Sequence, residues 1–205
     1  MTTLPIPSNP LDPQVMTERQ IPTVTELDSV TFSRHLDTLA ELLIDGVQQG
    51  ACLGFLLPFQ RDDAMRFWEP LQAHLQNGAC RLFVTHDATG ALVGTVQLWF
   101  NTPPAGAHHA EIAKLLVHSR ARRCGYGRAL MIAVEAVARE LGRSLLLLRT
   151  RSGDAAERLY QDLGFQLAGV IPGYSISLDG SLEAMSFMYK HLPLAETAPQ
   201  DRSPP

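Results

Sequence analysis

The most informative residues of the sequence form a glycine-containing turn that is suited to binding phosphate groups. Residues 115–131 read LLVHSRARRCGYGRALM, where an apolar strand end leads through Arg122-Arg123-Cys124-Gly125-Tyr126-Gly127-Arg128 into a helix. The first N–H groups of a helix lack intrahelical acceptors, and the helix dipole places partial positive charge there. Because Gly125 and Gly127 have no side chains, a ligand is able to approach the backbone closely. The turn therefore predicts a site for a phosphate or diphosphate.

The spacing of this turn excludes two other phosphate-binding loops. The sequence contains no G-x-x-x-x-G-K-[ST] loop, and the order R-x-x-G-x-G differs from the dinucleotide pattern G-x-G-x-x-G. On these residues alone a second interpretation stays open, in which glycine serves only a tight strand-to-helix turn and arginine only solubility.

A second motif follows on the next predicted helix, where residues 156–165 read AERLYQDLGF. R-x-x-G-x-G after one strand, joined to A-x-x-L-Y-x-x-L-G-F after the next, resembles the GCN5-related N-acetyltransferase (GNAT) superfamily. The segments AEIAKLLVHSRARRCGYGRALM and PGYSISLDG look most like the tabtoxin-resistance type of acetyltransferase within that superfamily. The resemblance implies an α+β fold, in which a mixed, mostly antiparallel sheet has helices on both faces, and it implies acetyl-CoA as cosubstrate.

The resemblance also implies where acetyl-CoA lies along the chain. Its diphosphate is expected on the backbone amides of the turn from Arg122 to Arg128. The strand before the turn is expected to splay from its neighbour, so that the backbone of Leu115, Leu116 and Val117 pairs with the pantetheine amides. One of those N–H groups is also suited to stabilise the oxyanion of the tetrahedral intermediate.

Two proton transfers accompany the attack of a neutral amine on the thioester. Tyr160 matches the family tyrosine that donates a proton to the leaving thiolate or hydrogen-bonds with it. Glu111 interrupts an otherwise apolar strand and is the candidate base, either directly or through water. His108 and His109 are alternative bases, because imidazole has a pKa of about 6.5. Two alternatives stay open: Tyr160 is a buried aromatic residue of the core, and Glu111 is a solvent-facing strand residue.

Two positions depart from the patterns of the family. Gly153 stands where many members have asparagine, which leaves Ser152 and the nearby Ala156 as the expected cofactor contacts. Arg149 stands where the tabtoxin-resistance pattern has an acidic residue. This reversal of charge lies near the predicted acceptor pocket, so the substrate of that type is not assumed. Arg149 and Arg151 are candidate ligands for a substrate carboxylate or for the cofactor phosphate, and a solvent-exposed arginine at the strand end is the alternative.

The acceptor is expected to contact the first two helices and the loop before the last strand. The candidate contacts are Phe55, Trp68, His109, Arg149, Tyr174 and Asp179. Core packing is the alternative role for the aromatic residues, and a turn position is the alternative for Asp179. The expected acceptor is the primary amine of a small polar molecule, for example an antibiotic or a toxin. A protein N-terminus or lysine is a second hypothesis, and acyl-CoA binding without catalysis is a third.

Hydrophobic spacing predicts the elements that position these residues. Strands are predicted over residues 21–27, 80–86, 92–100, 108–118, 144–150, 165–171 and 183–192. Helices are predicted before Gly50, from Asp62 to Gly78, between Gly125 and Gly142, and between Asp154 and Gly164. Turns are expected at residues 172–174 and 179–181.

Composition supports one folded domain. The chain has 205 residues, of which 45% are hydrophobic and 19% charged. A single GNAT-like domain is expected over residues 21–192, between disordered proline-rich tails at 1–20 and 193–205. Its three cysteines are far apart, so the sequence predicts neither a metal site nor a disulfide framework.

The charge balance and hydropathy argue against two classes of partner. The net charge is -4, and the basic residues form no long run, so binding to nucleic acid or to an anionic membrane is not expected. No apolar stretch is long enough to span a bilayer, and the first residues do not resemble a secretory signal. A cytoplasmic monomer or homodimer is the resulting expectation.

Overall fold

Seven strands form one sheet in the computed structural model, which describes residues 22–100 and 103–193. The strands are β1 Val24–Leu27, β2 Cys80–His86, β3 Leu92–Trp99, β4 His109–Val117, β5 Leu145–Arg151, β6 Gln166–Ile176 and β7 Leu182–His191. The helices are α1 Ser29–Gln48, α2 Arg61–Trp68, α3 Leu71–Gln76, α4 Tyr126–Glu140 and α5 Ala155–Asp162. The order across the sheet is β1-β2-β3-β4-β5-β7-β6. Only the β4–β5 pair is parallel.

Helices cover both faces of the sheet. Helices α1, α2 and α3 pack on one face, where Leu82 and Val84 of β2 point into the core. Helices α4 and α5 pack on the other face, against Val96, Leu98 and Leu146. The predicted α+β fold with a mostly antiparallel sheet is therefore confirmed.

The helix predicted from Asp62 to Gly78 is interrupted, so this prediction is wrong. Helix α2 spans Arg61–Trp68 and helix α3 spans Leu71–Gln76. Pro70 lies between them and has no N–H group with which to continue α2. The apolar spacing on which the prediction rested continues across the break, because both short helices bury the same side against α1.

The closing hairpin also differs from expectation in one respect. Strand β6 continues through Pro172-Gly173, where a turn was predicted. Its register with β7 shifts between Ile171 and Ser175, so the proline occupies an irregularity of an edge strand. Proline is tolerated there because an edge strand does not need every N–H group for pairing. The second expected turn, at 179–181, joins β6 to β7.

The tails predicted at 1–20 and 193–205 lie outside the described residues, apart from Pro193. Within residues 22–100 and 103–193, no helix combines the length and the apolar character needed to cross a membrane.

Trp68 lies in the core beneath α1. Its side chain is fully buried, and its ring packs against Phe32 and Phe67 with centroid distances of 6.5 and 4.9 Å. Nε1 donates a hydrogen bond to the carbonyl oxygen of Leu39 at 2.9 Å. The expected substrate contact at Trp68 is therefore wrong, since its side chain has no surface that a ligand could reach.

We expect the substitution Trp68→Phe to lower the free energy of unfolding by about 1–3 kcal/mol, because it removes a buried hydrogen bond and leaves a small cavity. Urea denaturation followed by circular dichroism measures this change. Unaltered stability combined with a weakened ligand affinity would contradict the assignment of Trp68 to the core.

Candidate active site

Strands β4 and β5 separate beyond Glu111. Their parallel pairing ends with Glu111 opposite Leu147, although β4 continues to Val117 and β5 to Arg151. On its other edge β4 stays paired with β3 as far as Val117. Within the described part of the chain, the β5-facing edge of residues 115–117 therefore has no strand partner. The expected splay is present.

A β-bulge at Lys114 accompanies this separation. Lys114 has a φ of 51°, which is unusual for a residue with a side chain, and the β3–β4 register is irregular at this point. Ile112 packs toward α4, whereas Leu116, four positions later, packs toward α1. A regular strand would place both side chains on one face of the sheet. The bulge contributes one extra residue, so the side chains that follow it point to the opposite face from the one that regular alternation would give.

The turn after β4 presents backbone N–H groups that have no acceptor in the protein. Arg123 and Gly125 have φ values of 65° and 89°, and α4 begins at Tyr126. None of the amide N–H groups of residues 123–128 donates a hydrogen bond to another described residue. Successive free N–H groups at a helix start form an anion-binding concavity. We call residues 123–128 the cradle.

Arginine side chains around the cradle are mostly engaged with protein groups. Nε of Arg122 donates to the carbonyl oxygen of Val117 at 3.3 Å. Nη2 of Arg128 lies 3.3 Å from Oδ2 of Asp162. Arg123 is exposed and forms no ion pair with a described residue. The free donors of the cradle are therefore chiefly main-chain groups, as expected for a site that binds phosphate through the backbone.

Asp45 on α1 fixes the loop that leads into the cradle. Its carboxylate accepts hydrogen bonds from N of Ser119 at 2.8 Å and from Oγ of Ser119 at 2.6 Å. It also lies 3.6 Å from Nδ1 of His118. Sequence reasoning missed this contact, because it joins residues that are 74 positions apart and no local pattern marks it.

Tyr160 lies on α5 with its ring packed against Phe165, at a centroid distance of 5.9 Å. Only 6% of the residue is exposed, and its hydroxyl makes no hydrogen bond to a described residue. Burial, followed by the negative charge of Asp154, raises the pKa of the phenol. The phenol therefore stays protonated at neutral and moderately alkaline pH, which is the form that is able to donate a proton or a hydrogen bond.

Helix α5 packs directly beside the cradle. A Cβ atom added to Gly127 would lie 3.4 Å from Cδ2 of Leu159 and 3.7 Å from Cγ2 of Val117. Tyr160, the predicted proton donor, is the next residue of α5 after Leu159. Ala156, one turn earlier on α5, is partly buried against the same core.

Glu111 and Arg149 share one face of the sheet. Glu111 is exposed opposite Leu147, and Arg149 follows Leu147 by two residues on β5, so its side chain projects to the same side. His109 precedes Glu111 by two residues and lies on this face as well. Nδ1 of His109 is buried and makes no hydrogen bond within the described residues. Glu111 thus lies where the strands part, whereas His109 lies at the start of the paired part of β4 and His108 precedes the strand. The choice among these candidate bases stays open.

A cavity of about 190 Å³ lies between residues 50–56 and residues 175–178. Arg151 lines this cavity and is held by the protein: its Nε lies 2.6 Å from Oε2 of Glu183, and its Nη2 donates to the carbonyl oxygen of Gly50 at 2.8 Å. The cavity therefore lies further along β5 than Arg149, and Arg149 lies between the cavity and the position opposite Glu111.

Phe55 lines the cavity, as expected for an acceptor contact, and Lys114 lies behind it. Nζ of Lys114 is 5.2 Å from the ring centroids of both Phe55 and Phe67 and donates a hydrogen bond to the carbonyl oxygen of Leu53. Burial, followed by the positive charge of Arg149, lowers the pKa of Lys114. Sequence reasoning missed this residue, although a single lysine in the apolar half of β4 was a usable signal.

Tyr174 lies next to Arg149 on the same side of the sheet. Its hydroxyl is 3.5 Å from Nη1 of Arg149, and its ring packs edge-on against Phe187 at a centroid distance of 5.5 Å. The structure thus brings two of the predicted acceptor contacts together.

Two other predicted contacts are engaged within the protein. The carboxylate of Asp179 accepts hydrogen bonds from N and Oγ of Ser181 at 2.9 and 2.7 Å, so Asp179 is a turn residue, and its expected contact with the acceptor stays a prediction. Oγ of Ser152 lies 2.7 Å from Oγ of the buried Ser186. Its expected contact with the cofactor stays a prediction.

Many solved structures resemble this fold, among them three acetyltransferases. A ribosomal-protein-alanine N-acetyltransferase from Brucella melitensis is 23% identical, with a TM-score of 0.68 over 83% of this chain and 99% of its own. A GCN5-related N-acetyltransferase from Kribbella flavida is 22% identical, with a TM-score of 0.70 over 84% and 98%. A phosphinothricin acetyltransferase from Sinorhizobium meliloti, solved in complex with AcCoA, is 18% identical, with a TM-score of 0.72 over 89% and 95%.

The family model of the acetyltransferase (GNAT) family matches residues 47–165. This range covers more than half of the chain and includes the bulged strand β4, the cradle and helix α5. The similar structures establish the fold, and the sequence match establishes descent. The chain therefore belongs to the GNAT family of acetyltransferases.

Proposed function

We propose that the protein transfers the acetyl group of acetyl-CoA directly to the primary amine of a small polar molecule. The observation that carries this proposal is a pair of stretches with free main-chain groups, the unpaired edge of residues 115–117 and the cradle. The N–H groups of residues 118–122, which lie between the two stretches, are bonded within the protein. A strand edge is suited to pair with the amides of pantetheine. Charged hydrogen bonds contribute about 1.5–3 kcal/mol each, so three or four cradle amides are sufficient to anchor a diphosphate.

The proposed reaction assigns each proton to a group at the site. Glu111 or His109 accepts a proton from the amine as the nitrogen attacks the thioester carbonyl. An N–H group of residues 115–117 stabilises the oxyanion of the tetrahedral intermediate. When the intermediate collapses, the carbon–sulfur bond breaks, and Tyr160 donates its proton or a hydrogen bond to the departing thiolate.

The cavity between residues 50–56 and 175–178 supports a small acceptor. It is bounded by the loop after α1 on one side and by residues 175–178 on the other, and it is partly open to solvent. The names of the similar structures include both phosphinothricin and ribosomal-protein alanine as acceptors. Because these names do not agree on the kind of acceptor, the proposal of a small amine depends on the cavity of this chain.

The test is release of free thiol from acetyl-CoA by the purified full-length chain, measured with a panel of small amines and of peptides with free N-termini or lysines. We expect saturable turnover with at least one small amine and slower turnover with every peptide. Turnover with peptides alone would favour a protein acceptor, and acetyl-CoA binding without turnover on any amine would favour a binding module.

A pair of glycine substitutions tests the cradle. We expect Gly125→Ala to weaken CoA binding by about tenfold, because Gly125 has a φ of 89° and a side chain there forces the cradle amides to reorient. Gly142→Ala is the matched control, since Gly142 also has a positive φ, 69°, and open space around an added Cβ, but lies beyond the far end of α4 and outside the cradle. Isothermal titration calorimetry with CoA measures both affinities. Equal affinities for the two variants would contradict the proposed cradle geometry.

The role of Tyr160 is tested by its replacement with phenylalanine. We expect Tyr160→Phe to lower kcat by about a hundredfold, which is the usual contribution of a general acid. CoA affinity and the free energy of unfolding are expected to stay close to wild type, because the ring is retained and the hydroxyl has no hydrogen-bond partner among the described residues. Full turnover by this variant would leave Tyr160 as a core aromatic only.

A further inference from the structure

Two arginines on the same face of β5 differ in their partners. Arg151 is paired with Glu183 at 2.6 Å and with the carbonyl oxygen of Gly50. Arg149 is exposed, and its one polar contact among the described residues is the neutral hydroxyl of Tyr174 at 3.5 Å. No described carboxylate forms a salt bridge with Arg149. Arg151, which lines the cavity, is thus neutralised by a carboxylate, whereas Arg149 has no acidic partner among the described residues.

A second cation lies close to Arg149 and also lacks an acid. The contacts of Lys114 are the carbonyl oxygen of Leu53 and the faces of Phe55 and Phe67, which are all neutral. Arg149 is the charge that contributes most to lowering the pKa of Lys114, after burial itself. Two like charges close to each other repel, and a bound anion would relieve that repulsion.

The register of the sheet connects these cations to the reaction centre. Glu111 is opposite Leu147 at the point where β4 and β5 part, and Arg149 is two residues further along β5 on the same face. A strand rises about 3.3 Å per residue, so the two Cα positions are separated by about 7 Å along the sheet. A molecule with an anionic group at Arg149 therefore needs only a short chain to bring an amine to Glu111.

We propose that Arg149, together with the hydroxyl of Tyr174, is an anion-binding subsite and that the acceptor is a small amine that carries a carboxylate. This inference rests on the proposed function and gives the chemical class of its acceptor. Guanidinium suits this role because it binds a carboxylate through two parallel hydrogen bonds. Lys114 adds positive potential from behind, while its ammonium group stays bonded to Leu53.

The test compares amines that carry either a carboxylate or a neutral carboxamide at the far end. The probes are glycine, β-alanine and γ-aminobutyrate, each with its own carboxamide, so that chain length is varied together with charge. Thiol release gives kcat/KM for each compound, and calorimetry gives its affinity for the protein saturated with CoA. We expect at least one acid to exceed its carboxamide by about tenfold or more in both measurements.

The substitution Arg149→Gln is expected to remove this preference by weakening the acid, while values for the carboxamide stay within about twofold of wild type. Arg149→Lys is expected to keep part of the preference, because it retains the charge and loses the paired hydrogen bonds. Arg34→Gln is the matched control: it removes one positive charge from an exposed position on α1, and the preference for the acid should persist.

Two results would overturn the proposal. One is a panel in which no acid binds more tightly than its carboxamide, whether or not turnover occurs. The other is an Arg149→Gln variant that weakens acid and carboxamide equally. Absence of turnover with every amine, combined with a clear preference for the acid in binding, would instead contradict the proposed acetyl transfer and leave the anion subsite supported.

Discussion

The separation of β4 from β5 after Glu111 is the constraint on which the rest of the site depends. Backbone groups in a sheet need partners, and an edge inside a sheet stays open only where something else completes it. The bulge at Lys114 sustains this opening by inserting one extra residue in β4. Nζ of Lys114 donates a hydrogen bond to the carbonyl oxygen of Leu53, which lines the cavity beside residues 175–178. The proposed groove for the cofactor and the proposed cavity for the acceptor therefore meet at Lys114.

Much of the fold could be predicted because the decisive signals are local. Apolar spacing predicts α1 and α4, and the run LVGTVQLWF predicts β3. The cradle could be predicted for the same reason, since a glycine turn between a strand and a helix fixes the direction of its amides. The link to Tyr160 came from a second motif, and the packing of Leu159 beside Gly127 gives it a physical basis.

Other features depend on contacts between distant parts of the chain, and the sequence does not reveal them. Trp68 looked like a ligand contact because aromatic residues serve both cores and pockets, and only its burial under α1 decides between them. Pro172 looked like a turn because its place in an edge strand is a property of the sheet. Arg149 and Arg151 differ in their partners because Glu183, which is distant in the sequence, lies beside Arg151 alone.

In the proposed complex, free amides of the cradle hold the diphosphate of CoA. Hydrogen–deuterium exchange of the full-length chain, measured residue by residue with and without CoA, tests this contact. We expect CoA to slow exchange at residues 123–128 by about tenfold or more, with smaller effects at residues 115–117 and none on exposed turns such as 179–181. Saturable binding of CoA that leaves exchange at residues 123–128 unchanged would contradict it.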